Sequence, residues 1–130
     1  MMNPHLKKMP NILVVDDDPL FRALVYRVAK RRAIPVTVCA SMRELAGMAV
    51  PPLFDAAVVD YFLDDIKQNL VGTDIAAVLE STPVVLVSST DQVIDSGDAW
   101  PPSVRKFLNK KVGVDAILDS VISLTEGVRT

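Results

Sequence analysis

The chain has 130 residues, half of them hydrophobic, with a formal net charge of −2 and one cysteine. That length fits one domain with a substantial core. The totals give no hint of a nucleic-acid surface, and they exclude an intrachain disulfide and, since no apolar stretch reaches spanning length, a membrane helix.

Residues 1–10, "MMNPHLKKMP", lack the hydrophobic segment of a signal peptide and read as a solvated tail carrying an exposed His5. With the single cysteine, this points to a reducing compartment, the cytoplasm. The run "NILVV" is continuously apolar and β-branched, as in a strand covered on both faces, and it runs straight into Asp16, Asp17 and Asp18. Next, "DPLFRALVYRVAKRR" predicts a helix with Leu20, Phe21, Leu24, Val25 and Val28 on its inner face. Asp18 is its N-cap and Pro19 lies in its first turn. Lys30, Arg31 and Arg32 suit its C-terminal dipole better than a binding patch.

"PVTVCA" is a weaker second strand, and Cys39 within it reads as a packing residue. "SMRELAGMA" opens with a capping box, Ser41 to Glu44. "DAAVVD" is a third strand ending in Asp60, and "LDDIKQNLVG" a long loop after it. "GTDIAAVLES" is a short third helix, "PVVLVSS" a fourth strand ending in Ser88 and Ser89, and "TDQVIDSG" a poor fourth helix. In the irregular "SGDAWPPS", Trp100 reads as a packing anchor. "RKFLN" is a fifth strand leading to Lys110, and "VDAILDSVISLTEG" a fifth helix with Ile117, Leu118, Val121, Ile122 and Leu124 turned inward.

Strand and helix therefore alternate five times, which predicts an α/β, doubly wound, five-stranded parallel sheet with its site at the C-terminal strand edge. Asp16–Asp18 alone would be read as solvated charge and a helix cap. With the first and third strands adjacent, Asp16, Asp17 and Asp60 reach one edge. Crowded carboxylates call for a hard cation with oxygen ligands, such as Mg²⁺. Ser88 and Lys110 arrive at the same edge. A carboxylate nucleophile, a metal, a hydroxyl and an ammonium together suit phosphoryl transfer. Ser88 and Ser89 read equally well as a cap of the fourth helix, and Phe107 as plain core.

The pieces "ILVVDDDP", "DAAVVDYFL", "PVVLVSS" and "FLNKK", in order and on successive strand ends, resemble the receiver domain of two-component response regulators of the chemotaxis-regulator type. The resemblance implies a flavodoxin-like sheet of order 2-1-3-4-5 over residues 11–127. It implies Asp60 as phosphoacceptor, with Asp17 and Asp60 on Mg²⁺, Asp16 supporting the metal largely through water, and the Phe62 backbone carbonyl as a further ligand. Ser88 becomes the switch hydroxyl, Lys110 the phosphate-binding lysine and Phe107 the rotating aromatic.

The expected partners are a histidine kinase or phosphotransfer protein and a downstream protein on the face of the fourth helix, fifth strand and fifth helix. Phosphorylation-dependent homodimerisation is also open to such a protein; direct nucleic-acid or membrane contact is not expected. The protein is expected to be a switch rather than an enzyme, catalysing at most its own phosphorylation and dephosphorylation. Ending at Thr130, it reads as a stand-alone regulator or a piece of a longer one.

Three features depart from the family pattern. Lys111 stands where a proline normally follows the lysine across a cis bond. A cis bond before a non-proline residue costs roughly 2.5–4 kcal/mol, so a trans loop and a displaced Lys110 are expected. The loop after Asp60 is long, and the fourth helix is degenerate. Phe62 and Thr90 offer poor orientation for an attacking water, so slow self-hydrolysis is expected. Two rivals remain. One is a degenerate receiver acting only as a binding module. The other is a haloacid-dehalogenase-like phosphohydrolase using Asp16-x-Asp18, against which stands Leu20 in place of a hydroxyl residue.

Overall fold

The structure, a computed structural model, describes residues 9–47, 54–61, 79, 81–89 and 101–126. The elements in order are β1 (Ile12–Val15), α1 (Pro19–Arg31), β2 (Val36–Cys39), α2 (Met42–Ala46), β3 (Ala56–Asp60), β4 (Val84–Ser88), β5 (Val104–Asn109), a single 3₁₀ turn (Lys110–Val112) and α3 (Val114–Glu126). The last of these is the fifth helix expected from the sequence. The segments expected to form the third and fourth helices lie outside the described residues, as do Phe62, Thr90, Trp100 and His5.

The five strands form one parallel sheet in the order β2-β1-β3-β4-β5. β1, β3 and β4 are buried along their whole length. This is why their sequences are unbroken apolar runs rather than alternating ones. Alternate residues feed two cores. Ile12, Val14, Ala56, Val58, Val85 and Val87 pack with α1 and α3 on one face. Leu13, Val15, Ala57, Val59, Val84 and Leu86 pack with Cys39, Leu45 and Tyr61 on the other. β5 is an edge strand whose exposed Arg105 and Lys106 discourage pairing with another chain.

α1 begins as expected: the Leu20 N–H donates to Asp18 Oδ1 at 3.0 Å, with Pro19 at the first position. Its inner stripe is corrected. Phe21, Val25, Val28 and Ala29 are buried, whereas Leu20 is 81% and Leu24 47% exposed. Leu20 and Leu24 each precede a stripe residue by one position, about 100° around the helix, which carries them off the sheet. The inward face of α3 is as expected, with Ile117, Leu118 and Val121 buried and Ile122 and Leu124 packed against the core. The capping box of α2 is present: Glu44 N–H donates to Ser41 Oγ at 3.1 Å. Its reciprocal bond comes from Ala40 N–H to Glu44 Oε2 at 2.9 Å, one residue earlier than the usual pattern.

The C-terminus of α1 does more than answer a dipole. Arg32 pairs with Asp115 at 3.0 Å and with Asp119 at 2.5 Å, tying α1 to α3. Because both aspartates are exposed, each pair contributes about 0.2–1 kcal/mol. The helix then closes in a Schellman turn: Ile34 N–H donates to the Ala29 carbonyl at 2.9 Å and Ala33 N–H to that of Lys30 at 3.1 Å. Ala33 occupies the left-handed position of this turn with φ 56°. A Cβ is unfavourable there, and glycine carries none. Ala33→Gly is therefore expected to stabilise the domain by about 0.5–1 kcal/mol, after the entropy of glycine in the unfolded chain is subtracted. Urea denaturation of the two proteins measures it.

Candidate functional site

The sheet register builds the site. Val15 of β1 pairs with Val59 of β3, so the next residues, Asp16 and Asp60, leave the sheet at the same level. Both belong to the alternation that faces α1 and α3. Asp16, Asp17 and Asp60 each bring one carboxylate oxygen to within 4.8 Å of the others. Asp16 is fully buried, Asp60 nearly so, and Asp17 half-buried.

Lys110 enters from the end of β5, on the same face of the sheet. Ser88 pairs with Asn109, and Lys110 follows at the start of the 3₁₀ turn. Its ammonium lies 2.8 Å from Asp16 Oδ2 and 3.7 Å from Asp60 Oδ2, with only 15% of the side chain exposed. It also lies 4.5 Å from the centre of the Phe21 ring. Among the described residues no peptide bond is cis, so Lys110–Lys111 is trans, as the missing proline led us to expect. Lys110 nevertheless reaches both carboxylates; the expected displacement does not take it from the site. The turn supplies the reason: Lys111 keeps the N–H that a proline would lack, and donates it to Asn109 Oδ1 at 2.8 Å. The turn ends at Gly113, whose φ of 95° and ψ of 156° fall in a region open essentially to glycine alone.

Asp16 is held rigidly. Its Oδ1 accepts the Asp18 N–H at 2.9 Å, and its backbone carbonyl accepts from Arg22 Nη1 at 2.9 Å. Its Oδ2 meets Lys110 as a close charge pair, without an aligned hydrogen bond from any described residue. Burial pushes the Asp16 carboxyl above its ordinary value, aided by the charge of Asp17. Lys110 and the Asp18 N–H oppose the shift without cancelling it. Three carboxylates that bring oxygens within 4.8 Å of one another, with Asp16 fully buried, suit a hard divalent cation. The donor set therefore fits Mg²⁺. Asp18 is not part of it, because its carboxylate caps α1.

Ser88 and Phe107 lie on the opposite face. Ser88 is buried at the end of β4, one register step beyond the partner of Asp60. Phe107 is partly buried, with the Tyr61 ring edge-on at 6.2 Å and 69°. Sequence reasoning missed Phe21, Arg22 and Tyr61 as neighbours of the site. Phe21 and Arg22 are near Asp16 in sequence, three and four residues past Asp18 on the first turns of α1. Tyr61 follows Asp60 directly, and its burial could have been read from that position. Cys39 is buried, and burial followed by the charge of Glu44 pushes its thiol up, in keeping with a packing role.

The response regulator receiver domain family model matches residues 12–122, and the chain belongs to that family. No curated protein matches the sequence. Solved structures show the same fold. The receiver domain of Francisella response regulator 1452 is 21% identical, covers 92% of this chain and 99% of its own, and superposes with a TM-score of 0.74. A Burkholderia pseudomallei response regulator, solved with a phosphorylated aspartic acid, calcium ion and citrate, is 22% identical over 92% of this chain and 71% of its own, TM-score 0.72. The Thermotoga maritima response regulator TrrA, solved with Mg²⁺ and BeF, is 18% identical over 89% of this chain and 99% of its own, TM-score 0.71. The family match sets the phosphohydrolase alternative aside, as does the use of Asp18 as a cap. Among the described residues no helix is long and apolar enough to cross a membrane.

A raised folded-state pKa means that the folded protein binds a proton more tightly than the unfolded one. The stability contributed by Asp16 is thus full below its ordinary value of 3.8 and lost as pH rises through the higher folded value. In metal-free buffer, Asp16→Asn should gain stability relative to wild type as pH rises from acid to neutral. Urea titrations across that range check the sign; a difference that does not vary with pH would contradict it.

Proposed function

We propose that the protein is a phosphorylatable receiver that takes a phosphoryl group onto Asp60 from a histidine kinase or phosphotransfer protein, with Mg²⁺ held by Asp17, Asp60 and, largely through water, Asp16. The observation that carries this reading is the convergence of three carboxylates within 4.8 Å of one another with the Lys110 ammonium. The phosphorylated aspartate and the Mg²⁺–BeF of two structural relatives support it. The Phe62 carbonyl is proposed as a further metal ligand; it lies outside the described residues.

An Asp60 oxygen attacks phosphorus, forming the P–O bond while the P–N bond to the donor histidine breaks and the imidazole leaves with its electron pair. Lys110 pairs with the phosphoryl oxygens, exchanging part of its contact with Asp16. The bound cation, when present, neutralises charge on the same oxygens. Ser88 donates its hydroxyl to a phosphoryl oxygen. The Ser88 side chain and Phe107 share one face of the sheet, so movement of the hydroxyl toward Asp60 is coupled to the Phe107 ring and its edge contact with Tyr61.

The altered surface comprises the fourth helix, β5 and α3, where a downstream protein or a second copy would dock. The site of action proposed is the cytoplasm. Slow self-hydrolysis, with Phe62 near the path of the attacking water, would leave the reset to a phosphatase or to reverse transfer. Lys111 in place of the usual proline and the long loop after Asp60 favour one second reading, a receiver that binds partners without phosphorylation.

Acetyl phosphate with Mg²⁺ separates the two readings. Intact mass should show one phosphoryl group on wild type and none on Asp60→Asn; no label on wild type would count against the phosphorylatable reading. For the metal, Asp17→Asn or Asp60→Asn should weaken Mg²⁺ binding at least about tenfold, since each removes a charged ligand from a hard cation. Asp18→Asn should leave it nearly unchanged, because asparagine still caps α1. Calorimetric titration reads both.

A further inference from the structure

The geometry assigns Phe21 and Asn109 as positioning residues that preset the Lys110 ammonium between Asp16 and Asp60. The inference rests on the phosphoryl-binding role proposed for Lys110. Neither residue belongs to the carboxylate cluster, and each acts on the lysine from a different direction.

Phe21 acts on the ammonium. It is 8% exposed on the first turn of α1, and Lys110 Nζ stands 4.5 Å from its ring centre. The negative face of an aromatic ring attracts a cation most strongly where water is excluded, and only 15% of the Lys110 side chain is exposed. The ring thus offers the cation a weak, uncharged resting contact beside its charged partners. It steadies the side chain without competing with a phosphoryl group as a third carboxylate would.

Asn109 acts on the backbone. With a trans bond after Lys110, the chain needs another constraint to turn sharply from β5 into α3. Asn109 Oδ1 accepts the Lys111 N–H at 2.8 Å and closes the first turn of the 3₁₀ segment that begins at Lys110. Gly113 N–H donates to the Lys110 carbonyl at 3.1 Å and closes the other end. The Lys110 Cα is therefore fixed by a side chain two positions from the residue that departs from the family pattern. A longer, freer turn would let the lysine leave for solvent.

Two measurements test the assignment on the full chain. In the first, proton NMR of the metal-free protein should show the Lys110 ε-methylene shifted upfield by the Phe21 ring. Asn109→Ala should return that signal toward its ordinary position, and Asn109→Asp, which keeps the acceptor, should restore the shift. An ordinary shift in wild type, or an unmoved one in Asn109→Ala, would overturn the assignment. In the second, Phe21→Leu should weaken beryllofluoride binding at saturating Mg²⁺ by about threefold to thirtyfold while Mg²⁺ affinity stays the same, and Phe21→Tyr should recover it. Unchanged beryllofluoride affinity in Phe21→Leu would remove Phe21 from the role, as would an equal loss of Mg²⁺ affinity. Should Phe21→Leu not fold, Phe21→Met takes its place. If wild type binds no beryllofluoride, the phosphoacceptor reading fails, and the NMR signal still decides whether Lys110 is preset.

Discussion

The pairing of Val15 with Val59 brings the Asp16 and Asp60 carboxylates out of the sheet side by side, and the rest of the site answers the repulsion this creates. A shift of one residue in that register would send one of the two to the opposite face. The register is secured because every residue of both strands is buried, so a slip would misplace two cores at once. Apolar packing on both faces of the sheet thus forces charges together at its edge. No surface cluster of aspartates could be held so close without such a scaffold, since the side chains would splay into water.

Lys110 is the protein's own counter-charge to that crowding. It offsets only part of the cost, for burial still pushes the Asp16 carboxyl up despite the ammonium at 2.8 Å. The domain therefore contains a carboxylate that opposes its stability at neutral pH and would be relieved by a cation. Trading stability for a poised site is a common arrangement where function needs concentrated charge. α1 carries much of the compensation. Its first turns supply the Asp18 cap, the Phe21 ring against Lys110 and the Arg22 bond to the Asp16 carbonyl. Its C-cap residue, Arg32, supplies the clamp onto α3.

The strands were legible because burial on both faces removes polar residues, and a short, unbroken, β-branched "ILVV" or "VVLVS" suits a covered strand far better than a helix. Their ends were legible because each apolar run gives way there to Asp or Ser. The stripe of α1 was read one position too wide at Leu20 and Leu24. A 13-residue helix rich in apolar residues fits two adjacent stripes, and only the sheet decides between them. The Arg32 clamp spans 83 and 87 residues of sequence, and no local pattern encodes such a contact. The Lys110 position was doubted because the family pattern ties it to a following proline. The signal that replaces the proline, Asn109 two residues before an ordinary N–H, was present in "NKK" but is a common spacing with no force of its own.

Lys110 lies over the carboxylates across a trans bond, so its placement does not depend on the cis isomer. A trans turn leaves Lys111 an amide proton for some group to take up. Asn109 does so from the strand end itself, where its backbone is already fixed by pairing with Ser88. The constraint on Lys110 is thereby anchored in β4, the strand that also carries the Ser88 hydroxyl. Phe21 faces the ammonium from α1. A shift of α1 would reach the site by two routes, through Phe21 to Lys110 and through Arg22 to the Asp16 carbonyl.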